Sequence, residues 1–179
     1  MASTGKNIVL VVPNQKYGES IILMIKRIVN NYNKICYITL NERSEHLIAS
    51  FEENKIDSKK FFFIDAVSNK SKLKQKHEQN KIFISAPNSL IEISLAVSKV
   101  IENEKPDMFI LDSASTLLVY EEHNAAIRFI HSLMEKTDSS KSDFFITILY
   151  SDEKDPAIEE LGLFVDEFID IARFNRDGK

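Results

Sequence analysis

Asn7-Ile-Val-Leu-Val-Val12, then Pro13-Asn-Gln-Lys-Tyr-Gly18-Glu-Ser20, then Ile21 to Val29 is the stretch that decides the fold. The opening β-branched apolar run predicts a strand buried on both faces, as in a parallel sheet covered by helices. Ile21, Ile22, Ile25, Ile28 and Val29 recur at helical spacing, so a helix follows. Strand, short polar loop and helix form the frame in which backbone amides cradle a phosphate. In the pattern G-x-x-x-x-G-K-[S/T], the Lys reaches the outer phosphates and the hydroxyl holds magnesium. Here the frame is kept and the letters differ in part. Gly18 and Ser20 match, Pro13 replaces the first Gly, and Glu19 stands where the Lys belongs.

Magnitudes decide what those changes mean. A unit charge about 4 Å from a phosphate contributes roughly 4 kcal/mol at an effective dielectric of about 20. Exchanging a cation for an anion there costs several kcal/mol of phosphate affinity. Pro13 also removes a donor and fixes φ where the loop needs freedom. On its own the loop does not make an ATPase.

The rest of the chain sets bounds. Its 179 residues suit a single domain, 1–179, with a full core. A hydrophobic content of 44% and charged content of 28% are those of a globular protein in water. A net charge of −4 argues against nucleic acid as a partner. One Cys, Cys36, excludes a disulfide or cysteine metal framework within the chain. The polar N-terminus carries no hydrophobic signal region and no apolar run reaches membrane-spanning length, so a cytoplasmic location is expected.

Taken in order, Lys34 to Leu40 predicts a second strand. Ser44 is placed to cap a helix from Glu45 to Asn54, and Phe61-Phe-Phe-Ile-Asp65 predicts a third strand. Ala66 to Lys81, Lys-rich and nearly free of apolar residues, is expected as a mobile loop. A short extended piece at Ile82 to Ser85 precedes a helix capped at Asn88 or Ser89 and ending near Glu104. Its apolar side is drawn from Leu90, Ile91, Ile93, Leu95, Val97, Val100 and Ile101. Met108 to Asp112 and Phe144 to Leu149 predict strands with a helix from about Glu122 to Lys136 between them. A short helix at Pro156 to Leu161 and an edge strand from Phe164 to Phe174 close the pattern. Strands alternating with helices require crossovers, which gives a three-layer α/β/α architecture on a mostly parallel sheet.

Ligands of such sheets bind beyond the carboxyl ends of the strands, here Pro13 to Ser20, Asn41-Glu42, Asp65, Asp112-Ser113 and Ser151-Asp152. An apolar run closed by Asp112 is the form of a magnesium-orienting strand. With these pieces in place, the chain resembles the RecA-like ATPases over nearly its full length, and within them the KaiC-like archaeal and bacterial branch. The resemblance rests on Pro13 to Ser20, Cys36 to Glu42, Asp107 to Leu118 with its Asp112-Ser113-x-Ser115, Phe144 to Leu149, and Phe164 to Asp170. It implies the fold and a residual nucleotide cleft lined by Lys16, Tyr17, Gly18, Glu19, Ser20, Asp112 and Ser113, with Ser20 and Asp112 on magnesium if nucleotide binds.

The departures bear on activity. Of the family's two adjacent catalytic acids, the first is Asn41 and only Glu42 remains, Glu19 replaces the Walker Lys, and the family's terminal hairpin is missing. The expectation is therefore a catalytically degenerate domain, with no cofactor, that works by binding a protein partner or itself. The alternative is an unconventional nucleotide-binding protein or slow ATPase that takes Mg-ATP and uses Lys16, Ser20, Glu42 and Asp112. A third reading keeps the cleft for another small anion. Asp112, Ser113 and His123 have the residue types of a hydrolase triad, but no G-x-S-x-G elbow surrounds Ser113. His46, His77, His123 and His131 share no zinc-ligand spacing with each other or with Cys36 and are expected facing solvent or on helix surfaces.

Overall fold

The computed structural model describes residues 5–68, 80–150 and 156–171. Seven strands alternate with helices: β1 (Asn7–Val12), α1 (Tyr17–Ile28), β2 (Ile35–Thr39), α2 (Ser44–Glu53), β3 (Phe61–Asp65), β4 (Lys81–Phe83) and α3 (Leu90–Glu104). They continue with β5 (Met108–Asp112), α4 (Ala114–Tyr120), α5 (His123–Ser139), β6 (Asp143–Leu149), α6 (Pro156–Gly162) and β7 (Glu167–Asp170). The strands form one sheet in the order β4-β3-β2-β5-β6-β1-β7, with every pairing parallel. This is the three-layer α/β/α arrangement read from the alternation, now wholly parallel among the described residues.

Strand alternation sorts the core into two halves. Ile8, Leu10, Tyr37, Phe61, Phe63, Ile110 and Phe145 face α1 and α2. Val9, Val11, Cys36, Ile38, Phe109, Leu111 and Ile146 face α3 to α6. Period-2 alternation with apolar residues at both parities is what a strand covered on both faces requires.

Register then fixes the ligand edge. Thr39 pairs with Asp65 on one side and Asp112 on the other. Leu111 pairs with Ile146, which sets Asp112 level with Thr147. Asp65, Thr39, Asp112 and Thr147 thus form one buried polar row at the carboxyl edge. All four continue the parity of the side chains that face α1 and α2.

Some local readings change. Ser44 opens α2 instead of capping it. The cap position is Arg43, and the Ser44 amide donates to Asp65 Oδ2 at 2.9 Å. A carboxylate from the next strand does the capping, which sequence spacing within one helix does not reveal. Ile91 and Leu95 point to water, because α3 buries the stripe Ile93, Ala96, Val97 and Val100. Helix α4, absent from the sequence reading, starts immediately after β5 with Ser113 as its N-cap, accepting from the Thr116 amide. The edge strand β7 is confined to four residues; 172–179 lie outside the described residues, as does most of the Lys-rich stretch expected as a mobile loop (69–79). Among the described residues no helix is long and apolar enough to cross a membrane.

Candidate functional site

Strand β6 lies between β1 and β5, so the loop after β1 and the end of β5 are one strand apart, with Thr147 between them. The loop is short. Only Pro13, Asn14, Gln15 and Lys16 separate β1 from α1, and Lys16 takes a left-handed conformation (φ 64°) as the helix N-cap. The helix therefore begins at Tyr17, earlier than the apolar periodicity suggests. That first helical residue directs its side chain back into the sheet edge.

There it meets Asp112. The Asp112 carboxylate is buried and surrounded by the protein's own donors. The Tyr17 hydroxyl donates to Oδ1. Thr147 Oγ1 donates to the same oxygen at 3.1 Å, and Asn41 Nδ2 at 3.3 Å. The Tyr37 hydroxyl donates to Oδ2 at 2.5 Å. Thr147 Oγ1 also lies 3.0 Å from the Tyr17 hydroxyl, closing the ring. A buried carboxylate is tolerated when its lone pairs are filled, and here neutral donors fill them.

Electrostatics follow from that burial. Desolvation raises the Asp112 pKa above the usual carboxylate range, against the pull of hydrogen bonds from Tyr17, Tyr37, Thr147 and Asn41. Burial and the neighbouring Asp112 charge raise both Tyr17 and Tyr37, so each stays a protonated donor. Glu42, at the exposed rim, is raised by partial desolvation and by Asp112, with His46 acting the other way. Asp65 shows the opposite balance. Burial pushes it up, but hydrogen bonds from Ser44 and Ser68 outweigh that and hold it below its ordinary value. Its oxygens accept from the amides of Ser44, Val67 and Ser68 and from Ser68 Oγ.

The other site residues divide. Lys16 and Glu19 pair with each other at 3.7 Å in solvent, so Lys16 does not reach Asp112. Glu19 sits in the first turn of α1, where an acid favours the helix dipole. Ser20 is buried. Ser113, joined to Asp112 by a cis peptide bond, is spent on capping α4. His123 Nε2 lies 2.7 Å from Glu160 Oε2, and Ser113 Oγ shares a hydrogen bond with Thr116, so Asp112, Ser113 and His123 are not linked as a triad. His131 is partly buried with its ring against Phe164, so it is not a plain surface residue. Among the described residues no group of three or more His, Cys, Asp or Glu is arranged to hold a metal ion.

Tyr37 and Thr147 were missed as site residues. Thr147 sits alone among the apolar residues Phe144 to Leu149, and Tyr37 shares its buried run only with Thr39; such buried hydroxyls need partners. That was the available signal, though it does not say which partner.

Gly18 is informative by what it lacks. It is helical, its φ is not positive, and a Cβ placed there meets nothing within 4 Å. Nothing in the packing therefore asks for glycine. Gly18→Ala is expected to stabilise the protein by about 0.5–1 kcal/mol through helix propensity and a less disordered unfolded chain. Denaturant midpoints measure this, and a loss of stability would mean that the first turn is held differently.

No family model matches the chain, and no curated protein matches it in sequence. Its fold has counterparts among solved structures. One is a KaiC-like protein from the hyperthermophilic archaeon Pyrococcus horikoshii OT3, similar with a TM-score of 0.61 at 12% identity over 88% of this chain and 68% of that one. At that identity the likeness establishes a KaiC/RecA-like fold.

Proposed function

We propose that the chain is a RecA-like domain whose nucleotide cleft has become a structural centre, and that it acts in the cytoplasm as a regulatory or scaffolding module binding a protein partner, without hydrolysing ATP. The observation that carries this reading is the closed ring around Asp112. For Asp112 to orient magnesium, Tyr17 would have to leave, giving up a charge-assisted hydrogen bond of about 1.5–3 kcal/mol. Asn41 supports the same reading. An acid at 41 would face Asp112 with like charge, whereas the amide donates to it. Glu19 places a negative charge at the helix N-terminus, where a phosphate would otherwise sit.

Thermal unfolding with millimolar Mg-ATP, Mg-ADP and Mg-GTP tests the proposal. A ligand at about 100 times its dissociation constant adds roughly 2.7 kcal/mol, which moves the melting temperature of a domain this size by about 5–10 °C. No shift is expected for the wild type. Glu19→Lys combined with Tyr17→Ala is expected to gain a small magnesium-dependent shift, because it restores the missing cation and opens the carboxylate. A wild-type shift abolished by Lys16→Ala and Asp112→Ala would establish the nucleotide-binding alternative instead.

A further inference from the structure

The segment that leads from β1 into α1 is held to the protein by one side chain. From Asn14 to Glu19 every residue is exposed except Tyr17, which turns inward. Among the described residues, the hydrogen bonds that tie this segment to anything outside α1 are those of the Tyr17 hydroxyl, with Asp112 Oδ1 and Thr147 Oγ1. The Tyr17 ring also packs against the core half under α1 and α2. The ion pair of Lys16 with Glu19 lies within the segment and in solvent.

The backbone of the same segment is weakly held. Lys16 sits in the left-handed region at φ 64°, which is costly for a residue with a Cβ. It stands at the cap of α1 with no side-chain hydrogen bond to the helix amides. Gly18, in the first turn, adds the backbone freedom of glycine although packing does not require one. Backbone strain held in place by one buried contact is characteristic of switch segments. What lies beneath gives a movement its consequence. Asp112 and Thr147 are buried, while Asn41, which donates to Asp112, and Glu42 are already exposed. Withdrawing Tyr17 removes a donor from the carboxylate and opens it toward that exposed pair, turning a filled centre into an anionic recess.

We infer that the first turn of α1 is a latch. Asn14 to Glu19 swings out as a unit, with Tyr17 as its catch, and uncovers Asp112 and Thr147 while the rest of the fold stays in place. The inference rests on the reading of the cleft as closed in the resting protein and supplies its regulation, since the latch decides whether the carboxylate is available to a partner. Thr147→Cys puts a thiol under Tyr17, and the buried Cys36 of the same chain reports unfolding of the sheet. With iodoacetamide, and labelling resolved by peptide mass spectrometry, position 147 is expected to react at least about a hundredfold faster than Cys36, because local openings lie well below the global free energy. Low urea is expected to speed Cys36 and leave position 147 unchanged, since local opening exposes little surface. Adding Tyr17→Ala is expected to speed position 147 at least about tenfold, and adding Gly18→Ala to slow it about two- to fivefold. Labelling at 147 that tracks Cys36 across urea, or that is indifferent to Tyr17→Ala, would overturn the inference. A second measurement leaves Thr147 in place. Hydrogen exchange of the Ser20 amide, which donates to the Lys16 carbonyl at 3.0 Å, is expected to speed at least about tenfold with Tyr17→Phe. A merely frayed helix end does not respond to that hydroxyl, so an unchanged rate also counts against the latch. Both experiments are run without nucleotide. The latch can therefore fail while melting with Mg-ATP still shows no shift, and a nucleotide shift would strike the closed-cleft reading without altering the labelling rates.

Discussion

Phe51→Ala is expected to cost about 3–5 kcal/mol, the largest effect of any single truncation considered for this fold. Phe51 is fully buried on α2, at the middle of an aromatic group that ties that helix to the sheet. Its ring centroid lies 4.8 Å from that of Phe61, 6.1 Å from that of Tyr37 and 6.3 Å from that of Phe63. Removing the ring loses its transfer free energy and leaves a cavity that the β-sheet cannot collapse, because β2 and β3 are fixed by pairing on both sides. Aromatic contacts add roughly 0.5–1.5 kcal/mol beyond buried area. Phe51→Leu, which keeps most of the volume, is expected to cost only about 1–2 kcal/mol. Denaturant midpoints at an unchanged slope measure both. A cost below about 1 kcal/mol for Phe51→Ala would mean that α2 is not docked on this cluster. The consequence reaches the site, since Phe51 braces the Tyr37 ring whose hydroxyl holds Asp112.

What could be read from the residues alone follows the strength of the local signal. The strands were legible because runs such as Phe61 to Ile64 and Met108 to Leu111 are apolar at both parities, which only doubly covered strands require. Helix α3 was legible in extent but not in orientation. Its apolar residues span too wide an arc to lie on one face, and packing left Ile91 and Leu95 outside. Helix α4 was hidden because Ala114 to Tyr120 is short and its start is a cap by Ser113 in a stretch read for chemistry. At the site, the sequence showed which letters of the phosphate loop had changed. It could not show that Tyr17 fills the space, since the contact joins residues 95 positions apart and depends on the strand order. The same holds for Asp65 capping α2 from a neighbouring strand. Periodicity carries information along one element; contacts between elements require the register.

Asp112 carries the other large effect. Asp112→Ala is expected to destabilise the protein by about 2–4 kcal/mol, because it strands the buried Tyr37 hydroxyl beside an empty space and leaves the Tyr17 hydroxyl only Thr147, which itself keeps the Leu111 carbonyl, while the exposed Asn41 amide turns to water. Asp112→Asn keeps the shape and one acceptor, so about 1–2 kcal/mol is expected near neutral pH. The pH dependence separates charge from shape. Burial raises the Asp112 pKa in the folded state, so folding favours the protonated form relative to the unfolded chain. Its contribution to stability is then full below the unfolded value of about 3.9 and is lost as pH rises through the raised folded value. Glu42, raised partly by Asp112, changes in the same direction. Asp65, held low, contributes oppositely, with stability present above about 3.9 and lost as pH falls through its depressed value, but it does so equally in wild type and variant. The stability difference between wild type and Asp112→Asn is therefore expected to be largest near pH 4 and to shrink toward pH 7. Tyr37→Phe removes the donor to Oδ2, so combining it with Asp112→Asn is expected to show a coupling above about 0.5 kcal/mol. A difference that stays flat from pH 4 to 7, together with additive single effects, would mean that Asp112 is solvated and its cleft open, which would return the carboxylate to the role of an accessible ligand.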